Sequence, residues 1–334
     1  MVYLQNYLNV RNSTRNLTDA EFDAIVDDLA TQLAVVSVVP QYADPDLYKD
    51  WSNLQKWTTN EDFINSTNRV GMKLCEHFFP NFYDIADNRG NSFNTMWNKD
   101  NLVKILRWNR KSHSTPYLSE LKRGVYFCCG MTKSTMYRPQ MMKMVCDTYK
   151  PEIVLDPCMG WAGRLLGAVA SGAHYIGFDP NTTTFANIQR LVKFLGVEDQ
   201  VTLICDDAMN MAKYNLPKVD LVLTSPPYFD LEVYAQEQSQ SITKHDSYRS
   251  WSDYFLKGII ENSAALLKPE GVTCWNVGKV GKNDMRDDVR AYLTAIDFVE
   301  IKEFNVVSSK RQSLKKPGDN KSNDNTIVFR KKAE

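Results

Sequence analysis

Ile153-Val154-Leu155-Asp156-Pro157-Cys158-Met159-Gly160-Trp161-Ala162-Gly163-Arg164 is the stretch that decides the fold of this chain. The apolar run Ile153–Leu155 reads as a buried strand. It ends in an acid and a proline, crosses small residues at Gly160, Ala162 and Gly163, and enters a helical pattern over Arg164–Ser171. Small residues let the backbone turn tightly and pass close to a ligand. Taken alone, such a turn also fits a bend with no ligand, or a dinucleotide-binding fold.

The alternation continues downstream. Strands are expected at Tyr175–Phe178, Val201–Ile204, Asp220–Leu223 and Val272–Val277, and helices at Thr182–Leu195, Ser250–Leu267 and Asp284–Ala295. Strands alternating with helices at this spacing imply a parallel sheet covered on both faces. Leu267-Lys268-Pro269-Glu270-Gly271 turns the chain into the fifth strand. At the end, Val299–Val307 and Thr326–Arg330 read as strands with no helix between them, hence an antiparallel hairpin joined by a long polar loop. The expected architecture is α/β, with a mixed seven-stranded sheet.

Upstream of residue 150 the pattern is helical, as in Phe22, Ile25, Val26, Leu29 and Leu33, with Thr18 and Asp19 as caps. Residues 1–123 are therefore expected to form a mainly helical region, a candidate for substrate recognition, and residues 124–334 the α/β domain.

Lys+Arg 40 against Asp+Glu 40 gives no net charge. A wholly basic coat for a polyanion is excluded, so any nucleic acid must be met by a local patch. The seven cysteines are scattered and form no C-x-x-C pair, so no metal site is expected and reduced thiols are. Met1–Leu8 lacks a secretory pattern, and the apolar stretch around Leu33–Pro40 is too short to span a bilayer. A soluble cytoplasmic protein without membrane contact is expected.

An open parallel sheet binds ligands at the carboxyl ends of its strands. Asp179 ends the second strand, roughly 20 residues past the glycine turn, where an acid can accept both ribose hydroxyls of a nucleoside. Asp206 and Asp207 end the third strand, where a carboxylate suits an adenine amino group. Either acid alone is more often a cap or turn residue. No Lys-Ser or Lys-Thr follows the glycines, as a nucleoside-triphosphate loop would require.

Asp156–Gly163 resembles the D-P-[FC]-x-G-x-G element of the amino-group DNA methyltransferases, which transfer a methyl group from S-adenosyl-L-methionine to N6 of adenine or N4 of cytosine. The resemblance implies a Rossmann-like methyltransferase fold. It implies cofactor contacts from Asp156, Cys158, Gly160, Ala162, Gly163, Asp179, Pro180, Asp206 or Asp207, and Ala208. In that family a segment before the first strand closes over the cofactor, and Thr135 and Tyr137 hold that place here. The chain departs from the family pattern in two ways: Ala162 replaces the second glycine, and Gly163-Arg164 replaces the usual Thr or Ser. The hydroxyl that the family carries there is absent from this chain.

The fourth strand ends in Ser225-Pro226-Pro227-Tyr228-Phe229. Consecutive prolines cannot extend a central strand, because each lacks a backbone donor and fixes φ. They make a rigid projection whose freed carbonyls can accept from an amino group. An exocyclic amine is a poor nucleophile, since its lone pair is delocalised into the ring. Accepting its two hydrogens with Ser225 and the Pro226 carbonyl favours attack on a sulfonium methyl, and Tyr228 offers a face for an extruded base. An isolated turn of this kind would equally suit a core tyrosine.

The motif resembles the [DNS]-P-P-[YFW] element of the same family, which implies Ser225, Pro226, Pro227 and Tyr228 as catalytic. Phe229, Lys310 and Arg311 are the expected substrate contacts, and double-stranded DNA the expected partner. Arg107, Arg110, Lys111 and His113 near Trp108 make a second candidate nucleic-acid surface. A methyltransferase acting on RNA bases and a non-catalytic subunit of the same fold remain alternatives.

Overall fold

In the computed structural model, which describes residues 17–60, 64–65, 68–132, 134–229, 232–233, 241–307 and 325–332, the apolar runs form one seven-stranded sheet. Its strands are β1 (Ile153–Asp156), β2 (His174–Phe178), β3 (Val201–Ile204), β4 (Val219–Thr224), β5 (Leu267–Val277), β6 (Phe298–Phe304) and β7 (Asn325–Lys331). Across the sheet they run in the order β3-β2-β1-β4-β5-β7-β6. Neighbours from β3 to β5 are parallel, whereas β7 is antiparallel to both β5 and β6. The order of strands reverses beside β1, so the carboxyl ends of β1 and β4 form the switch point at which open α/β sheets bind ligands.

Continuous apolar sequence in β1, β2 and β4 is explained by burial from both sides, and edge strand β3 is only half-buried. The expected terminal hairpin is present, with Val299 opposite Arg330 and Phe304 opposite Thr326. Strand β5 starts five residues before the expected Val272, at Leu267. Leu267 pairs with Val219 and Val272 with Leu221, so Lys268–Gly271 bulges out of the ladder. Pro269 lacks a ladder donor, and Lys268 anchors the bulge on Asp220 at 2.7 Å.

The longer helices are α1 (Asp19–Ala34), α2 (Asp44–Lys56), α3 (Met72–Phe78), α4 (Lys99–Lys111), α5 (Leu118–Cys128), α6 (Pro139–Tyr149), α7 (Gly163–Ala170), α8 (Thr182–Leu195), α9 (Lys257–Leu266) and α10 (Met285–Ala295). A π-helical turn, Ser252–Leu256, precedes α9. Thr18 caps α1 as expected, in a reciprocal pair with Glu21.

The chain divides into two compact units. The first holds the described residues of Met1–Pro40, Pro80–Thr135 and Leu231–Tyr234. Its core joins Phe22, Val26, Leu29 and Leu33 of α1 to Leu102, Ile105 and Leu106 of α4 and to Val125 of α5. The second holds those of Gln41–Phe79, Met136–Asp230 and Ala235–Glu334, with the sheet and its covering helices. In its core Leu155, Phe178, Val222 and Ile327 meet Trp251 and Ile259.

The division differs from a single boundary at 123/124. The described residues of 41–79 pack within the sheet unit: Tyr48 of α2 stacks on Phe194 of α8 at 4.6 Å, and Phe79 meets Trp161 edge-on at 6.0 Å. Helical periodicity reports that a helix has a face to bury, not which partner covers it. Among the described residues no helix is long and apolar enough to cross a membrane.

Candidate active site

The glycine turn is shaped by what lies against it. Gly160 and Ala162 both have positive φ, +51° and +58°. Alanine in this region costs about 1 kcal/mol, so Ala162 keeps a glycine's conformation at some strain. A Cβ at Gly160 would meet nothing nearer than the Cys158 carbonyl at 3.9 Å, so this backbone faces open space. Gly163 is the opposite case. A Cβ there would stand 1.9 Å from the Tyr137 carbonyl oxygen, and one at Gly167 would stand 2.3 Å from that of Pro139. Two glycines four apart thus let α6 and the segment before it lie directly on α7. Tyr137 is held beside the turn, and its buried hydroxyl has no hydrogen-bond partner among the described residues.

Asp156 is expected among the cofactor contacts, but its carboxylate is wholly inside the protein. Oδ2 accepts from Arg164 Nε at 2.6 Å and from the Tyr175 hydroxyl at 2.7 Å. Oδ1 accepts from Thr224 Oγ1 at 2.8 Å and from the Cys158 amide at 3.1 Å. The side chains of Arg164 and Asp156 are 5% and 0% exposed, so this is a buried ion pair. Burial alone would depress the Arg164 guanidinium; Asp156 outweighs it and holds the group above its usual value. Arg164 also donates to the Cys158 carbonyl and lies over the Tyr137 ring at 5.0 Å. The arginine that departs from the family pattern therefore braces the turn from within.

At the next strand end, Asp179 accepts from the amides of Gly160 and Asn181, each at 2.9 Å. Burial raises its carboxyl to about 6, against the pull of those two amides. Each oxygen keeps a lone pair, so two further hydroxyl donors can be met. Asp206 accepts from the Asp207 amide, Asn210 and Tyr214. Asp207 caps the turn at Ala208 through the Met209 amide and pairs with Lys244 at 2.6 Å. Pro180 lies half-buried beside Asp179, whereas Thr135 is exposed and falls in the first unit. Open space at Gly160, the carboxylate of Asp179 and the unmatched Tyr137 hydroxyl together fit a nucleoside-bearing cofactor.

Ser225 follows β4, with Pro226 buried and Pro227, Tyr228 and Phe229 half-buried. Phe229 has a φ of +45° and packs near Tyr248 and Trp251, with ring centroids 6.1 and 6.0 Å away. Asn276 Nδ2 donates to Ser225 Oγ at 3.4 Å, and Thr326 Oγ1 donates to Asn276 Oδ1 at 3.2 Å. Tyr175, Thr224, Asn276 and Thr326 are not visible as site residues in the sequence, because each matters through a partner distant in sequence. Arg164 leaves a trace, as an anomaly in the motif.

Lys310 and Arg311 lie outside the described residues. In the first unit, Arg107 pairs with Asp23, and Arg110 pairs with Asp19 at 2.8 Å while lying over Phe22. Two of the four groups of the candidate basic surface thus brace α4 against α1. Among the described residues no three His, Cys, Asp or Glu side chains converge as a metal would need.

Two family models match the chain. One for DNA methylases covers residues 219–334, and one for RNA cap guanine-N2 methyltransferases covers residues 151–253. Both spans contain Ser225–Tyr228. No curated protein matches. Similar solved structures include a putative rRNA methylase from Clostridium thermocellum, at 17% identity, covering 60% of this chain and 99% of that one with a TM-score of 0.39. A SAM-dependent O-methyltransferase from Thermotoga maritima is 12% identical, covering 62% and 70% with a TM-score of 0.43. A putative methyltransferase from Streptococcus mutans, in complex with SAH, is 15% identical, covering 58% and 98% with a TM-score of 0.38.

Proposed function

We propose that this chain, an S-adenosylmethionine-dependent methyltransferase, methylates the exocyclic amino group of adenine or cytosine in DNA. The observation that carries the reading is the placement of Ser225-Pro226-Pro227-Tyr228 at the end of β4, beside the glycine turn that ends β1. Thr224 bonds Asp156 directly, which supports reading the two turns as one site.

When bound, the cofactor supplies an electrophilic methyl group on a sulfonium centre. Gly160 leaves room for its backbone-proximal part, and Asp179 is the acceptor for its ribose hydroxyls. Asp207 is the candidate for its adenine end and is tethered to Lys244. Ser225 Oγ and the Pro226 carbonyl accept from the amine of the target base, which aims its lone pair. Tyr228 gives the extruded base a flat surface, and holding both partners in line supplies much of the rate.

A second reading is favoured by the match to the RNA cap guanine-N2 family: transfer to a guanine amino group in RNA. That acceptor is also an exocyclic amine, so the same residues would serve. Incubating the full chain and S-adenosylmethionine with mixed-sequence duplex DNA or with RNA, then digesting to nucleosides for mass analysis, decides between them. N6-methyldeoxyadenosine or N4-methyldeoxycytidine is expected; methylguanosine from RNA alone selects the second reading.

A further inference from the structure

From the pairing register of three strands we infer that Asn276 and Thr326 are positioning residues that aim the Ser225 hydroxyl at the acceptor base. The inference rests on the methyl-transfer reading above. In the parallel ladder Thr224 lies opposite Trp275, so the next residues, Ser225 and Asn276, stand side by side at the carboxyl end. In the antiparallel ladder Thr326 lies opposite Asn276. Thr326 is fully buried and Asn276 nearly so, at 0% and 7% exposure. Both are polar side chains held out of solvent.

The Thr326 hydroxyl donates to Asn276 Oδ1 at 3.2 Å. Asn276 Nδ2 is turned the other way and donates to Ser225 Oγ at 3.4 Å. A serine hydroxyl has two lone pairs and one hydrogen. One lone pair is taken by Asn276. Ser225 makes no other hydrogen bond among the described residues, so one lone pair and the hydrogen remain. Side by side, an acceptor and a donor match the amine and the unprotonated ring nitrogen next to it, N1 in adenine or N3 in cytosine. A hydroxyl with no brace would populate other rotamers and lose that match.

The test compares wild type, Thr326→Val, Thr326→Ser, Asn276→Asp, Ser225→Ala and the double variant Ser225→Ala/Thr326→Val. Tritiated S-adenosylmethionine and mixed-sequence duplex DNA or RNA are used, with cofactor affinity measured by calorimetry. Valine keeps the shape of threonine and removes the hydroxyl. It is expected to lower kcat roughly tenfold, as expected for misalignment at a reacting centre, and to leave cofactor affinity within about twofold. Serine is expected to restore the rate. Asn276→Asp, whose carboxylate turns the Ser225 hydrogen inward, is expected to lower kcat as valine does. In the Ser225→Ala background the valine change is expected to have no further effect.

Equal losses with and without Ser225, or a wild-type rate in Thr326→Val, would overturn the inference. If wild type labels neither polymer, the methyl-transfer reading falls and the relay is judged from crystal structures. A Ser225 rotamer changed by valine and restored by serine supports it. An unmoved Ser225 overturns it.

Discussion

Thr224 Oγ1 donates to Asp156 Oδ1 at 2.8 Å, and both side chains are fully buried. This bond ties the strand that leads into Ser225 to the strand that leads into the glycine turn, so the two turns cannot shift independently.

Thr224→Val keeps the shape and removes the donor, leaving Asp156 with three partners. A loss of about 1.5–3 kcal/mol is expected, the range for a hydrogen bond to a charged group. Urea unfolding measures it. Combined with Asp156→Ala, the two losses are expected to be less than additive, because the same bond is removed twice.

Arg164→Met leaves the Asp156 carboxylate buried without its cation, which is expected to cost about 3–5 kcal/mol. Arg164→Lys is expected to recover little of it. A lysine cannot serve Asp156 and the Cys158 carbonyl in a single plane, nor lie flat on the Tyr137 ring. Midpoints of urea denaturation for the two variants would be close together if this holds.

Asp179 titrates near 6 in the folded protein, above the 3.8 of an unperturbed group. Between those values the folded chain keeps a proton that the unfolded chain has released. Its contribution to stability is therefore complete below about 3.8 and is lost as pH rises through 6. Cofactor binding has the opposite sign, since ribose hydroxyls need the ionised acceptor. Affinity is expected to fall about tenfold per pH unit below 6. Calorimetry from pH 5 to 8 should show this slope in wild type, and a flat, weaker profile in Asp179→Asn. Tyr228→Ala is expected to keep the wild-type profile while abolishing transfer.

Neighbouring positions in the turn should respond in opposite directions. Ala162→Gly relieves a positive φ and is expected to stabilise the fold by about 0.5–1 kcal/mol. Gly163→Ala drives a methyl into the Tyr137 carbonyl and is expected to lower the melting temperature and the cofactor affinity together. A stable, cofactor-binding Gly163→Ala variant would show that the segment carrying Tyr137 does not close on the turn.

The sequence by itself determined the strands of the sheet, the terminal hairpin, the glycine turn and the Pro-Pro turn. Each of these is written locally, in apolar runs, in the spacing of small residues, or in prolines that forbid a continuing ladder. What it could not determine was what each side chain meets. Asp156 reads as a ligand contact from its motif, yet strand order brings Thr224, 68 positions away, and Tyr175 onto its carboxylate. Asn276 and Thr326 carry no motif and become partners only through the pairing of β5 with β7. Residues 41–79 read as part of a helical region, and those described pack in the sheet unit. Local pattern encodes which face is buried; the register and order of strands decide what it is buried against, and those follow from the whole core packing at once.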